Sequence, residues 1–189
     1  MSMEQHISII NDESSFQTIA KSNQSITIEL IHKLGKKDLD SLLDIADSLS
    51  SFFGEKPILS KNNFSKYFNK NTFPFVLRYR GKIISIIIGV PTEFFKNESW
   101  AHYDTNIGKN NTLYTYAFLM SKKFHKKGGY SKTLKQIYIN WAKKQGYKYV
   151  SGHVRQGISK KFKGDIEIIK IFNNWYGQEH PFEYYRRSI

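Results

Sequence analysis

Between Thr112 and Val154 the chain switches its hydrophobic period twice, and no other feature constrains its fold as tightly. Thr112–Met120 (TLYTYAFLM) is dense in aromatic and β-branched residues, which predicts a strand. Further on, Leu134, Ile137, Tyr138, Trp141 and Ala142 recur at helical spacing and make one apolar stripe. Ser131 is the expected N-cap of that helix. Lys143 and Lys144 complement the dipole at its far end, and Gly146 can take the left-handed conformation that stops it. Residues 147–154 (YKYVSGHV) return to strand composition. Strand, crossover helix and strand of these lengths predict two neighbouring parallel strands joined by a right-handed βαβ crossover.

The connection into the helix is itself informative. His125, Lys126, Lys127, Gly128, Gly129, Tyr130 and Ser131 form a basic, glycine-containing turn that leads directly into the first helical turn. Backbone N–H groups and the positive end of the dipole can converge there on one anion, which suits a phosphate-bearing cofactor. Lys122, Lys123, Lys132 and Lys135 add positive charge around the turn, although Lys122, Lys132 and Lys135 read individually as a solvated face.

Composition bounds the alternatives. At 189 residues, 40% hydrophobic and 15% aromatic, the chain suits one domain with a proper core. The absence of cysteine excludes disulfides, thiolate zinc sites and a cysteine nucleophile, and fits a reducing cytoplasm. The longest apolar run, residues 83–90, is too short to cross a bilayer, and the N-terminus has no signal-peptide apolar core. A soluble cytoplasmic protein is the expectation. The net charge of +13 invites a nucleic-acid reading, but only five of the basic residues are Arg and the lysines are spread along the chain. Nucleic-acid binding therefore ranks below a general bias towards Lys, Asn and Ile.

Along the rest of the chain, residues 1–25 read as an N-terminal extension, ordered in part at most, and 26–189 as one domain. Residues 26–34 alternate as a first strand. Leu39, Leu42, Leu43, Ala46, Leu49 and Phe53 give a helix over 37–53, and 60–68 suit a second, short one. Two strands flank Arg80-Gly81 as a hairpin. After the βαβ unit a helix is expected over 165–174 and a final strand over 182–187.

With these elements in hand, the segment around the turn resembles the acetyl-coenzyme-A-binding core of the GCN5-related N-acetyltransferases. That family's signature is Gln or Arg, two residues, Gly, one residue, then Gly or Ala. His125 stands at the first position, Gly128 at the first glycine and Tyr130 at the second small position. Tyr130 cannot copy glycine's freedom at positive φ, so Gly129 is expected to take that dihedral. The element order over 26–187 also matches. The resemblance implies an α/β (α+β) fold, a mixed central sheet flanked by helices with the fourth and fifth strands splayed apart.

It further implies acetyl-CoA as acyl donor, without a metal. Main-chain groups of Phe118, Leu119, Met120 and Ser121 would receive the pantetheine arm and thioester. The Leu119 N–H would stabilise the developing oxyanion, a donor typically worth ~3 kcal/mol. The turn from His125 to Ser131 would hold the pyrophosphate, with Asp165 among the cofactor contacts. The family's frequent glutamate is missing from Thr112–Met120, so the base is sought among Glu93, Glu98, His102 and Asp104, with Glu93 and Asp104 preferred. Phe172 falls at the usual place of the family's acidic tyrosine and cannot donate, which leaves Tyr176 as the preferred acid beside Tyr184 and Tyr185. The expected partner is a primary amine on a small molecule or peptide, received between residues 91–111 and 175–181, with homodimer formation left open. A catalytically silent acyl-CoA-binding module and a basic nucleic-acid-binding protein are the alternatives.

Overall fold

The computed structural model describes residues 12–22, 25–47 and 64–189. Parts of two expected helices, at 48–53 and 60–63, lie outside the described residues. Among the described residues eight strands make one mixed sheet: β1 (Ser15–Ser22), β2 (Ile26–Lys33), β3 (Phe73–Tyr79), β4 (Lys82–Pro91), β5 (Thr112–Met120), β6 (Tyr149–Arg155), β7 (Ile166–Phe172) and β8 (Phe182–Ser188). They run in the order β1-β2-β3-β4-β5-β6-β8-β7. The helices are α1 (Lys36–Asp47), α2 (Phe64–Tyr67) and α3 (Tyr130–Lys144). Short 3-10 turns occupy Thr92–Phe95 and Ser99–Tyr103 between β4 and β5, and Ser159–Lys161 after β6.

The sheet separates two apolar layers. On one face α1, α2 and the two turns after β4 pack around Leu42, Val76, Ile86, Ile88, Trp100 and Tyr184. On the other, α3 lays Leu134, Tyr138, Ile139 and Ala142 on Phe75, Leu77, Ile87 and Leu113. Strand β4 is covered on both sides and is buried from Ile83 to Val90, which explains why its sequence is a continuous apolar run. The α3 stripe sits close against it, because Gly89 has no Cβ where the Tyr138 ring lies; an added Cβ would come within 2.8 Å of that ring. Arg78 on β3 ties the α1 layer down through Glu29 (2.7 Å) and both carboxylate oxygens of Asp38 (2.8 and 2.6 Å).

Three features differ from the sequence expectations. Ser15–Ser22, inside the stretch read as an extension, is a strand paired antiparallel to β2. Residues 165–174 are not helical: Ile166–Phe172 is strand β7, paired antiparallel to β8. Its isoleucines are β-branched and suit a strand, but the register shifts between Ile168 and Lys170. The extra residue, Ile169, breaks the two-residue period and leaves apolar spacing that mimics a helix. Finally, Ser131 is not the N-cap. Gly129, in the left-handed region at φ 66°, holds that place with no side-chain hydrogen bond to the helix.

The crossover unit has the expected form. β5 and β6 are parallel but pair at three positions only, Thr112–Tyr149, Leu113–Val150 and Tyr114–Ser151. Beyond Tyr114 the strands diverge, whereas β4 stays paired with β5 to Met120. Between Ile88 and Gly89 the β4–β5 register slips, leaving Tyr116 as a bulged residue at the point of divergence.

Candidate cofactor cleft and acceptor face

Divergence of β5 and β6 opens a cleft of about 610 Å³ on the α3 side, a volume usual for a small-molecule site. Its walls are β5 (Thr115 to Phe118, Met120), the start of α3 (Ser131, Lys135, Tyr138), β6 (Gly152 to Arg155) and the β8 residues Tyr185 and Arg187. Where β6 leads on towards β7, a loop with one short 3-10 turn at Ser159–Lys161 contributes Ile158 and Phe162.

Directions along β5 decide which main-chain groups face this opening. Leu119's carbonyl accepts from Ser85 Oγ on β4 (2.8 Å), and the Ser121 N–H donates to the Ile84 carbonyl (2.9 Å). Both groups therefore point to β4. The N–H and C=O of one strand residue share a side, so the Leu119 N–H also points to β4 and away from the cleft. This corrects the sequence expectation for Leu119. Alternation turns the N–H groups of Phe118 and Met120 to the open side, and neither has a β6 partner because the strand pairing ends at Tyr114. Phe118 is 37% exposed, while Leu119, at 1%, packs in the core.

The basic turn stands at the mouth of the cleft. Lys126, Gly128 and Gly129 all have φ between 58° and 66°, three left-handed residues within four positions, while the Lys127 N–H donates back to the Phe124 carbonyl (3.2 Å). The Tyr130 ring lies over Gly128, where a Cβ would approach it to 2.5 Å, and packs on Tyr79 and Phe124 at 5.7 and 5.9 Å. Tyr130 is thus a helical residue with its ring turned into the core, and the two preceding glycines carry the positive dihedrals. The first helical N–H groups of α3 have no side-chain cap, and His125, Lys126 and Ser131 border the opening. The uncapped helix start, two glycines and flanking cations fit a diphosphate. Asp165, by contrast, lines a separate hollow with Tyr149, Glu167 and Arg186 and is not part of the cleft.

Among the described residues no carboxylate lines the cleft. Glu93 Oε1 accepts the Asn110 N–H (2.8 Å), just before β5 begins, so Glu93 sits at the closed end of the β5–β6 pair. Asp104 is wholly buried and accepts from the Tyr184 hydroxyl at 2.6 Å and from Arg186 at 2.5 Å. Asp104 is therefore engaged in holding the fold together, whereas Glu93 Oε2 is buried without a hydrogen-bond partner among the described residues. Tyr176 is 71% exposed on the rim, where its hydroxyl donates to Glu98 (3.1 Å).

Tyr138, read from the sequence only as part of the apolar stripe, and Tyr185, named beside Tyr176 as an acid candidate, come together near the point of divergence. Tyr138 reaches from α3 to within 3.3 Å of Thr115 Oγ1. Tyr185, opposite Gly152 on β6, packs on Phe162 at 5.1 Å; burial pushes its phenol up to about 12, so it keeps its proton at working pH. No motif announces either residue; only the pairing of β6 with β8 brings Tyr185 there.

The α1 side carries a dense aromatic layer instead. Tyr116, at the bulge, stacks on Tyr67 at 3.9 Å. His153 stacks between Trp175 (3.6 Å) and Tyr184 (4.7 Å), and its Nδ1 lies 2.8 Å from the Tyr114 hydroxyl. Burial lowers the His153 pKa to about 2, so the ring is neutral. Trp100 and Trp175 come within 6.2 Å, which brings together the two segments expected to form the acceptor rim.

Fold and cleft can be compared with known proteins. Neither a protein-family model nor a curated protein matches the sequence. Solved structures do match its shape. The ribosomal-protein-S18-alanine N-acetyltransferase from Escherichia coli is 14% identical and superposes with a TM-score of 0.60 over 87% of this chain and 94% of its own. The chain has the fold of the GCN5-related N-acetyltransferases. Ard1 from Thermoplasma volcanium shares it at 16% identity and TM-score 0.61 (87% and 98% covered), as does an N-acetyltransferase from Staphylococcus aureus Mu50 at 16% and 0.60 (88% and 99%). In this acetyltransferase fold the parallel, diverging strands are β5 and β6 of the present chain. No helix among the described residues is long and apolar enough to cross a membrane.

Proposed function

We propose that the protein is an N-acetyltransferase that moves the acetyl group of acetyl-CoA to a primary amine by direct attack. The observation that carries this reading is the pair of unpartnered β5 N–H groups, Phe118 and Met120, opening into the same cleft as the uncapped start of α3. A thioester bound there supplies an activated acyl group. The N–H groups of Phe118 and Met120 hold the pantetheine arm and the thioester carbonyl, and the one at the carbonyl stabilises negative charge as the amine adds. Gly128, Gly129 and the first turn of α3 hold the diphosphate.

The acceptor enters from the aromatic α1 face past Tyr116. The amine nitrogen bonds to the carbonyl carbon, the carbon–sulfur bond breaks, and the proton released from nitrogen leaves to water, since none of the described residues that line the cleft is a carboxylate. Tyr185 is the cleft hydroxyl that serves as hydrogen-bond donor and acid to the departing thiolate. Aromatic rims with few acids suit an uncharged or peptide-like body around the amine; the Escherichia coli neighbour is named for the alanine of a ribosomal protein.

Release of free thiol from acetyl-CoA, measured across amino acids, peptide N-termini and amino sugars, tests the reaction. Tight coenzyme A binding with no thiol release for any of these amines would support a silent binding module instead. Within an active enzyme, Tyr185→Phe is expected to lower kcat by ~100-fold while coenzyme A affinity is retained. Tyr176→Phe should change little, and the reverse pattern would move the acid to the rim.

A further inference from the structure

The lysines are spread along the chain, but the acids are not. From Thr105 to Gly164, sixty consecutive residues contain fourteen Lys and Arg and no Asp or Glu, while the remaining 129 carry fifteen against sixteen. The net charge of +13 therefore arises wholly in the segment that builds β5, α3, β6 and the loop after it. α3 and that loop lie on one side of the sheet. Carboxylates that bond other side chains lie on the opposite side: Glu29 and Asp38 at Arg78, Glu98 at Tyr176, Asp104 and Glu167 at Arg186. Glu183 does face the α3 side, but both its oxygens are taken by the N–H groups of Gly157 (3.0 Å) and Ser159 (2.8 Å). Glu93, near the closed end of the β5–β6 pair, has Oε1 on the Asn110 N–H and Oε2 buried. The two faces of the molecule thus differ in sign.

We propose that the outer face of α3, with the turn after it, docks the phosphate backbone of a nucleic acid. Lys132, Gln136, Asn140, Lys143 and Lys144 are exposed and recur at helical spacing on that face. Gln136 donates to Asn140 (2.9 Å), so the middle of the stripe is polar and uncharged. Lys148 extends the stripe past the helix end, where its N–H donates to the Asn111 carbonyl (2.9 Å). A merely solvated helix face interleaves Glu with Lys, because opposite charges one turn apart attract and like charges repel. α3 has no acid in 15 residues, whereas α1 exposes Asp40 and Asp44. At about 22 Å, α3 spans roughly six phosphates of one strand. It exposes no large apolar side chain, so this face has nothing to insert into a membrane. Without Arg or an exposed aromatic ring, its lysines act as point charges that hold phosphates and do not read bases. Lys143, Lys144 and Lys148 lie at the far end of α3 from the diphosphate cradle, so this surface is separate from the cofactor site and does not depend on the acetyl-CoA reading.

The test is fluorescence anisotropy of short labelled single-stranded RNA and duplex DNA titrated with the full chain. Binding should weaken ~50-fold or more between about 50 and 200 mM salt, as neutralisation of about four phosphates requires. The tighter of the two ligands identifies the source of the backbone. A triple variant, Lys143→Gln with Lys144→Gln and Lys148→Gln, should lower the salt slope for RNA by about 2 and weaken binding ~10-fold at low salt. Its thermal unfolding and coenzyme A affinity should match the native chain. Saturating coenzyme A should leave nucleic-acid affinity within a few-fold. Failure of both ligands to bind at low salt would overturn the surface, as would an unchanged slope in the triple variant. Loss of binding on adding coenzyme A would assign the cations to the cofactor instead. Displacement of RNA by polyglutamate as readily as by unlabelled RNA of equal charge would make the partner an acidic polypeptide, and the nucleic-acid assignment falls. Nucleic-acid binding with the expected slope in a chain that does not bind coenzyme A would keep this inference and remove the acetyl-CoA reading.

Discussion

Gly129→Glu is expected to weaken coenzyme A binding by ~100-fold or more, measured by calorimetry, because it sets a carboxylate at the point where the α3 N–H groups converge. Bringing like charges together at a binding site costs several kcal/mol, and each 1.4 kcal/mol is a factor of ten. Position 129 isolates this effect better than its neighbour. An added Cβ at Gly129 meets nothing within 4 Å, so the fold bears only the left-handed strain, of order 1–2 kcal/mol. At Gly128 the same Cβ would collide with the Tyr130 ring, and lost affinity would be mixed with lost packing. Gly129→Asn is the matching control, since Asn tolerates the left-handed region and adds no charge. It should bind within a few-fold of the native chain. Unchanged affinity in Gly129→Glu would remove the diphosphate from the start of α3.

The second large effect concerns stability. Asp104→Ala should cost ~3 kcal/mol, because it leaves the Tyr184 hydroxyl and one side of the Arg186 guanidinium without partners in the interior, Glu167 remaining on the other side. For a domain of this length that corresponds to a fall of about 10 °C in Tm. Had Asp104 been the base, Asp104→Asn would leave Tm nearly unchanged and abolish thiol release. The geometry predicts the opposite division: a clear loss of Tm in both variants, with turnover per folded molecule largely kept. A variant as stable as the native chain would show that the Asp104–Arg186–Tyr184 cluster contributes little.

These two residues mark where sequence reasoning succeeded and where it stopped. The glycine turn was legible because its consequences are local. Positive φ, an exposed helix start and clustered lysines all follow from neighbours in the chain, and Thr112–Met120 was read to the residue because aromatic and β-branched composition is a local signal. Asp104 was chosen for its chemical type and its place before β5. Its partners, Tyr184 and Arg186, are some eighty positions away, and no spacing rule connects them. Leu119 failed for a subtler reason. Which strand N–H faces which side depends on register, and the bulge at Tyr116 shifts the register in the middle of β5. The bulge at Ile169 had a similar effect on β7, where it converted a two-residue period into helix-like spacing. Tyr185 and Arg187 entered the cleft only through the antiparallel pairing of β8 with β6, a contact that sequence cannot supply.

The order of the strands has one more consequence, for solubility. Among the described residues β1 and β7 are the two borders of the sheet, and each leaves one row of backbone groups without a neighbour. β7 also exposes Ile168 and Ile171, and β1 exposes Phe16. Such borders invite end-on sheet growth between molecules. β7 interleaves its isoleucines with Glu167 and Lys170, and its bulge bends the border out of line; a second β7 aligned antiparallel would have to accommodate both. The irregularity that made this strand hard to recognise thus also makes it a poor template for self-association.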